Sequence, residues 1–201
     1  MRTLRSLGIK VKELLEVGFS VDQLRTGGCT AEELTEEGCG AAELYAGGYR
    51  VGQMRTVGFT APQLREAGAP VRELRVVGRF TAVELYAIGL TLPELVKGGY
   101  ALTQLQQVGF TADDFREAGF AADELEDVGF TAKQLRQSGY TNDEMAKCGF
   151  TVEEFRAAGF TAAELKQNMG FAAKELKDGG YTGPEIKLAG FQAFQLKQLG
   201  I

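Results

Sequence analysis

The sequence predicts an all-α fold, a solenoid of about twenty short two-turn helices in ten-residue helix–turn repeats, forming a single elongated domain over residues 1–201. Three observations predict it. The chain aligns with itself at a spacing of ten residues from Ile9 to Gly200, and self-similarity at a fixed period is typical of repeat architectures. A pattern that starts helices recurs at one place in the repeat, and a glycine that ends helices recurs at another.

The register of the repeat is defined by Phe150–Gly159, whose ten residues are positions 1 to 10. Nineteen complete repeats follow a partial one at residues 1–8, and they end at Gly8, Gly18, Gly28 and so on to Gly200. Two repeats hold eleven residues, with one-residue insertions near Arg79 and near Asn168.

Positions 1, 2, 5 and 6 predict the start of each helix. Position 2 is Thr or Ser in eleven repeats, as at Thr161, and position 5 is Glu, Gln or Asp in all nineteen, as at Glu164. This spacing is typical of a capping box, in which the hydroxyl accepts from the third helical N–H and the acidic or amide side chain accepts from the N–H of the cap. Most position-1 residues are Phe or Tyr and position 6 is always apolar, the pattern of a hydrophobic staple.

Glycine at position 10 predicts the end of each helix, because a left-handed C-terminal cap favours a residue without a side chain. A helix of about seven residues is then on the order of 10 Å long. Isolated helices shorter than roughly 12 to 15 residues are unstable in water. Each repeat therefore depends on its neighbours for stability, as in other solenoids.

The distribution of apolar residues predicts which face of each helix is buried. Positions 1, 3, 6 and often 9 are apolar, whereas positions 4, 7 and 8 are mostly charged or small. The first set gathers on one side of a two-turn helix and is expected to form a continuous core. Two repeats per superhelical turn in an antiparallel arrangement is the preferred geometry, with three or four per turn left open.

Composition argues against several functional classes. The 201 residues carry a net charge of −5, no histidine and three cysteines, Cys29, Cys39 and Cys148, without a CxxC pair. A zinc site and a strongly basic nucleic-acid surface are therefore not expected. The sequence contains no phosphate-binding GxxxxGK[ST] loop and no nucleophile elbow, so we expect no enzyme activity, cofactor or metal.

The same features bear on location. No run of eighteen apolar residues occurs, so no membrane span is expected. The stretch Met1–Arg5 leads directly into the repeat without the apolar core of a signal peptide, which predicts a soluble, unprocessed chain. An intracellular reducing compartment is the default expectation from the cysteine pattern, and the sequence says nothing further about localisation.

The repeat resembles a known family. The consensus G-[FY]-T-A-x-E-L-[KR]-x-x, carried for example by Gly159–Lys166, is similar to that of decapeptide-repeat proteins of uncharacterised function. The resemblance covers the whole chain and implies a helical repeat scaffold with no defined activity. Tetratricopeptide, ankyrin and HEAT arrays have periods of roughly 33 to 47 residues and do not fit.

Three sets of charged residues are candidate sites. The acids at position 5, such as Glu144 and Glu154, are interpreted as caps rather than catalytic groups. An acidic cluster within residues 113–127 could bind a divalent cation or a basic partner, but a solvated face is the favoured interpretation. Position 7 is Arg or Lys in eleven repeats, which predicts a broken basic ridge, and a polyanion-binding module using this ridge is the alternative function. The ridge includes Arg55, Arg65, Arg75, Lys166, Lys177, Lys187 and Lys197.

Apolar residues in water-facing columns are the preferred functional signal. Exposed apolar patches commonly mark partner surfaces, so we expect a non-catalytic structural or scaffold repeat protein that mediates protein–protein interaction, as a linker or subunit of a larger assembly. The opposing interpretation is that the insertion near Arg79 buries the first group locally. The first group is Val76, Val83, Tyr86, Ala87 and Val96.

A second apolar group lies at the C-terminal end, where a polar terminal cap is expected. It comprises Leu188, Phe194, Leu199 and Ile201. Either the last repeats fold over their own end or a partner packs there, and we favour a partner. The expected partners are other proteins or a larger assembly, including a second copy of this chain through its C-terminal end, and nucleic acid is disfavoured.

Overall fold

A computed structural model describes residues 9–201 of the chain. In this range the structure contains nineteen short α-helices and no β-strand, and the chain is an all-α helical solenoid of ten-residue repeats, as the sequence predicts. The helices are α1 (Val11–Glu16), α2 (Val21–Thr26), α3 (Ala31–Glu36), α4 (Ala41–Ala46), α5 (Val51–Thr56), α6 (Ala61–Glu66), α7 (Val71–Val76), α8 (Ala82–Ala87), α9 (Leu92–Lys97), α10 (Leu102–Val108), α11 (Ala112–Glu117), α12 (Ala122–Asp127), α13 (Ala132–Gln137), α14 (Asn142–Met145), α15 (Val152–Ala157), α16 (Ala162–Met169), α17 (Ala173–Asp178), α18 (Gly183–Leu188) and α19 (Ala193–Gln198).

The chain divides into two compact units, Met1–Val108 and Gly109–Ile201. A single domain over residues 1–201 stays a prediction. The partial repeat that ends at Gly8 lies outside the described residues. Most of the described helices have six residues rather than the expected seven.

The predicted capping box is present at the helix starts. At α16 the Thr161 Oγ1 accepts from the Glu164 N–H at 3.2 Å, and the Glu164 Oε2 accepts from the Thr161 N–H at 2.7 Å. The second of these bonds, from the position-2 N–H to the position-5 side chain, occurs in eighteen of the described repeats. The exception is the repeat of Pro70, which has no N–H to donate; its Glu73 instead accepts from the Tyr45 hydroxyl at 2.9 Å.

The helix ends also follow the sequence pattern. Gly159 has a φ of +84°, and the Phe160 N–H donates to the Phe155 carbonyl at 3.0 Å, the long bond of a Schellman motif.

The two predicted insertions are accommodated differently. Arg79 takes a left-handed φ of 54° after α7, whereas the extra residue near Asn168 lengthens α16 to eight residues.

One helix end departs from the pattern. Helix α14 has only four residues. Gly149, at position 10 of its repeat, does not adopt the positive φ that most glycines at this position have. Its N–H donates at 2.7 Å to the Glu126 carboxylate. The turn after α14 therefore differs from the other helix ends, and its glycine bonds to a side chain 23 residues earlier.

The core of each compact unit is built from its position-6 side chains. From α1 to α18 every position-6 residue is buried, and Phe155 is representative at 1 % exposed. Its ring meets those of Phe150, Phe160 and Phe171 edge-on, with centroids 5.7, 5.1 and 6.1 Å apart. Burying one large apolar side chain contributes about 1.5–3 kcal/mol, and this packing stabilises helices too short to form alone.

Within each compact unit, helices pack on the helix that lies two further along the chain. In the first unit α4 contacts both α2 and α6, and in the second α16 contacts both α14 and α18. This is the contact pattern expected for two repeats per turn. The Tyr140 hydroxyl shows the same spacing, because it donates at 2.8 Å to the Phe120 carbonyl two repeats earlier.

The stacking imposes a size rule between positions 3 and 9. A methyl group added to Gly179, at position 9, would lie 2.3 Å from Cγ1 of Val152, at position 3 two repeats earlier. The corresponding distances are 2.4 Å for Gly47 and Val21, and 2.5 Å for Gly98 and Val71. Contacts this short do not occur in close-packed interiors, so valine at position 3 requires glycine at position 9 in these pairs.

Candidate protein-docking surfaces

The side chain at position 7 reaches across the stack. Arg136 on α13 places its guanidinium carbon 4.0 Å from the Phe160 ring centre, and its Nη2 lies 3.0 Å from Oε1 of Glu164. Both residues belong to the junction between α15 and α16, the turn that ends one helix and starts the next. One arginine thus contacts the staple ring and the capping carboxylate of a junction that starts two repeats ahead.

Other position-7 cations contact the carbonyls at such junctions. Arg75 Nε donates at 2.8 Å to the Gly98 carbonyl, and Lys177 Nζ donates at 2.6 Å to the Leu199 carbonyl. A cation near unpaired carbonyls at a helix C-terminus is favourable. Equivalent contacts to a carbonyl, ring or capping carboxylate are made by Arg25, Arg55, Arg65, Arg156 and Lys166.

The predicted basic ridge is therefore largely occupied by structural contacts. The composition of position 7 alone did not indicate these contacts with a junction that starts two repeats further on. A recognisable signal was present, because Arg75 precedes Tyr100 by 25 residues and Arg136 precedes Phe160 by 24.

Five of the position-5 acids have a lowered pKa, and Glu94 and Glu164 illustrate the cause. Hydrogen bonds from the backbone and side chain of Thr91 hold the pKa of Glu94 below its ordinary value of 4.5. Burial acts in the opposite sense on Glu164, but the hydrogen bonds from Thr161 and the charge of Arg136 outweigh it, so its pKa is also lowered. Hydrogen bonds to the charged form have this effect. A depressed pKa suits a capping acceptor and not a general base at neutral pH.

The acidic cluster within residues 113–127 is partly used in the same way. Asp114 and Glu124 accept from the N–H groups of Thr111 and Ala121 at 2.7 and 2.9 Å, and Glu126 accepts from Gly149. Within residues 9–201 no group of acidic, histidine or cysteine side chains is arranged to hold a metal ion.

The cysteines lie in packed surroundings. Cys29 is buried, as its staple position predicts, while Cys39 and Cys148 are half-buried. Burial, together with the nearby charges of Glu126 and Asp123, raises the pKa of Cys148 to about 12. The thiolate is the reactive form, so this thiol is a poor nucleophile at neutral pH.

The first apolar group forms an exposed surface on α7 and α8. Val76, Val83 and Tyr86 are 56, 54 and 48 % exposed, and Ala87 is exposed as well. Val77, which the sequence reasoning omitted, is 41 % exposed. We call these five residues the α7–α8 patch.

The opposing interpretation, that the insertion near Arg79 buries this group locally, does not hold for the α7–α8 patch. Arg79 extends the turn outside the helix, with a left-handed backbone, and leaves the valines exposed. Val96, expected at the same surface, is only half exposed.

A depression adjoins the patch. It measures about 560 Å³ and is lined by Gly52, Arg55, Thr56, Val77, Gly78 and Arg79. Arg55 is fixed along one wall, since its guanidinium donates to the Gly78 carbonyl and lies 4.1 Å from the Phe80 ring centre. The patch therefore continues into a shaped surface with a cationic edge.

The second apolar group is only partly exposed. Leu188 and Phe194 are 86 and 60 % exposed, and Leu188 borders a depression of about 750 Å³ between α15, α16 and α18. Leu199 and Ile201 are half-buried. Ile201 was expected at the surface, but it packs on its own chain, because a methyl group on Gly183 would lie 3.0 Å from its Cγ2.

A third exposed apolar group was missed by the sequence reasoning. Ile9, Val17 and Phe19 are 41, 73 and 37 % exposed. They occupy positions 1 and 9, which are mostly buried or half-buried elsewhere in the described chain. Their column gave no signal, because only the stacking decides whether a core position is covered.

Comparison with known families agrees with this architecture. The family described as Decapeptide repeat region matches the chain three times, over residues 8–79, 70–142 and 139–201. The chain belongs to the decapeptide repeat family. No curated protein and no solved structure matches this decapeptide-repeat chain. Across residues 9–201, none of its helices has the length and apolar character needed to cross a membrane.

Proposed function

We propose that this decapeptide-repeat protein is a non-catalytic scaffold that docks another protein on the α7–α8 patch, as a linker or structural subunit of a larger assembly. The observation that carries the proposal is the exposure of Val76, Val83 and Tyr86 in columns that are polar or small in most repeats. Contiguous exposed apolar surface costs solubility and commonly marks an interaction site.

The second compact unit shows that side chains at positions 8 and 4 of successive repeats lie near each other. Ala157, at position 8 of the repeat of α15, and Ala163, at position 4 of the repeat of α16, line the same depression. Val76 and Val83 hold the equivalent positions of α7 and α8. Aliphatic side chains with one aromatic, next to a cationic edge, are suited to a partner with an apolar centre and acidic rim.

Polyanion binding is the weaker proposal. Arg75, Arg136 and Lys166 have their charges engaged by carbonyls, carboxylates or rings of the stack. Release of counterions from a polyanion needs several free cations on one surface, and each engaged side chain would first lose its internal contact.

The experiment is capture of partners from an extract of the source cells. The bait proteins are the wild type, Val83→Glu in the patch and Leu188→Glu as a matched exposed apolar position outside it. We expect a defined set of proteins retained by the wild type and by Leu188→Glu, and lost with Val83→Glu, at unchanged helical circular dichroism. Equal retention by both variants, or no retention by the wild type, would overturn the proposal.

A further inference from the structure

The turn between α7 and α8 holds an arginine in a backbone conformation that favours glycine. Arg79, at φ 54°, is the only residue other than glycine with a positive φ in residues 9–201, and side chains with a Cβ atom are disfavoured there. The insertion itself does not require an arginine. After the second insertion the equivalent residue is Gly170, at φ +76°, and in both turns the next N–H closes the helix by donating to the carbonyl six residues earlier.

The Arg79 side chain has no internal contact that would offset this cost. It is exposed, and among the residues that the structure describes it makes no hydrogen bond, ion pair or ring contact. Arg75 and Arg136, by contrast, contact a carbonyl and a ring of the stack. Strained residues that the fold does not require are concentrated at functional sites, which indicates that Arg79 contacts another molecule.

The depression next to Arg79 is open because α5 carries no side chain at its edge. Gly52 is the only glycine at position 4 of the nineteen repeats, and a methyl group there would lie 3.2 Å from both Cγ1 and the carbonyl oxygen of Val77. The depression of about 560 Å³ is lined by Arg55 and Arg79 and by no acidic residue. Val77 belongs both to its lining and to the α7–α8 patch, so the two surfaces are continuous.

The charge that remains free beside the patch is positive. Residues 71–87 contain three arginines and two glutamates. Glu73 accepts from a tyrosine hydroxyl at 2.9 Å, and Glu84 caps α8 and lies 3.6 Å from Arg55. Arg72 and Arg79 are exposed and have no such partner within the described part of the chain. A partner that complements this surface therefore carries negative charge next to apolar side chains.

We propose that the partner docked on the α7–α8 patch is a protein segment in which an aspartate or glutamate is flanked by aliphatic residues. The aliphatic side chains pack on Val76 and Val83, and the carboxylate enters the depression and accepts from the Arg79 guanidinium. A guanidinium can bind a carboxylate through two parallel N–H···O bonds. The inference rests on the proposed docking function and names the chemistry of the partner and the residue that selects it.

The same surface does not suit a nucleic acid. Binding of an extended polyanion depends on several free cations along one surface, whereas the centre of this patch is formed by Val76 and Val83. One carboxylate with aliphatic neighbours matches both the apolar centre and the cationic edge.

The test uses a library of random linear peptides displayed on phage, selected on the full chain and in parallel on Val83→Glu. We expect the peptides lost with Val83→Glu to be enriched in acidic residues next to aliphatic ones, relative to the unselected library. Peptides synthesised from this set are then titrated against the wild type, Arg79→Gly and Lys133→Ala. Lys133 is also exposed but lies in the second compact unit, so it is the matched control for loss of one cation.

Arg79→Gly is expected to weaken peptide binding by about tenfold or more, the effect of losing one charge-assisted hydrogen bond, and Lys133→Ala to leave it unchanged. Replacing the acidic residue of the peptide by its amide should weaken binding to the wild type equally, but have little effect on Arg79→Gly, because both changes remove the same contact. Arg79→Gly is also expected to melt at or above the wild-type temperature, since glycine adopts the left-handed backbone without strain. Weaker binding with unchanged or higher stability separates recognition from folding.

Two results would overturn this inference and leave the docking function intact. One is a set of Val83-dependent peptides without enrichment in acidic residues, and the other is Val83-dependent peptides that bind Arg79→Gly as tightly as the wild type. Absence of any peptide that depends on Val83 also refutes the inference, and capture from the cell extract then decides the docking function separately.

Discussion

Replacing Gly179 by alanine tests whether stacked helices, rather than turn geometry, require this glycine. Gly179 has φ −78° and ψ 9°, which alanine adopts without strain, and the loss of backbone freedom in the unfolded chain favours alanine by about 0.4–1 kcal/mol. The added methyl group, however, lies 2.3 Å from Cγ1 and 2.5 Å from Cβ of Val152. Overpacking of this kind costs about 1–3 kcal/mol.

The two terms leave a net destabilisation of about 1–2 kcal/mol for Gly179→Ala. For a chain of this size that corresponds to a melting temperature lower by on the order of 2–8 °C. The assay is thermal unfolding followed by far-ultraviolet circular dichroism, with amide hydrogen exchange in α15 and α17 to locate the change. Gly47→Ala, which meets Val21 at 2.4 Å, is expected to behave in the same way in the first compact unit.

The matched control is the double-mutant cycle with Val152→Ala. That substitution alone removes buried methyl groups and costs about 1.6 kcal/mol, but in the double variant the new methyl group occupies the space that the valine leaves. We expect a favourable coupling energy of about 1 kcal/mol or more between the two changes. If Gly179→Ala melts with the wild type, or if the two effects simply add, the size rule between positions 3 and 9 is wrong.

Two further predictions concern contacts across the stack. Arg136→Ala removes an ion pair with Glu164 and a cation–ring contact with Phe160. It is expected to lower the free energy of unfolding in urea by about 1 kcal/mol. Lys133→Ala, at exposed position 4 of the same repeat, is the control, and an equal effect of both changes would contradict a stabilising role of the Arg136 contacts. Burial raises the pKa of Tyr140 from 10.0 to about 12, so its contribution to stability is complete below pH 10 and is lost as pH rises through about 12. Melting curves at rising pH should therefore show an alkaline loss that is smaller in Tyr140→Phe, and an unchanged loss would exclude this tyrosine as a cause.

The sequence predicted most of the fold because the decisive interactions are local. The capping box joins Thr161 to a residue three positions later, and the closing bond of the helix joins Phe160 to a residue five positions earlier. Such contacts depend on the repeat itself and need no knowledge of the partner helix. The departures are instructive, because α14 carries the capping pattern at its start yet ends early, where Gly149 bonds to Glu126.

The docking surfaces were less predictable. Val76, Val83 and Tyr86 could be singled out because they break the polar columns of the repeat. Val17 and Phe19 could not, since they occupy columns that are mostly buried or half-buried. Whether a core residue is covered depends on the presence of a helix two or three repeats away and not on its own identity.

The sequence by itself determined where each helix begins, where most of them end, which position supplies the buried core side chain and how many repeats there are, because these follow from the pattern within one repeat. Only the tertiary structure decided which junction each position-7 cation contacts, why Gly179 must be glycine, and which apolar residues stay exposed. Those outcomes arise from packing between helices whose residues lie 20 to 29 positions apart. At such distances steric fit and charge, rather than local propensity, select the arrangement.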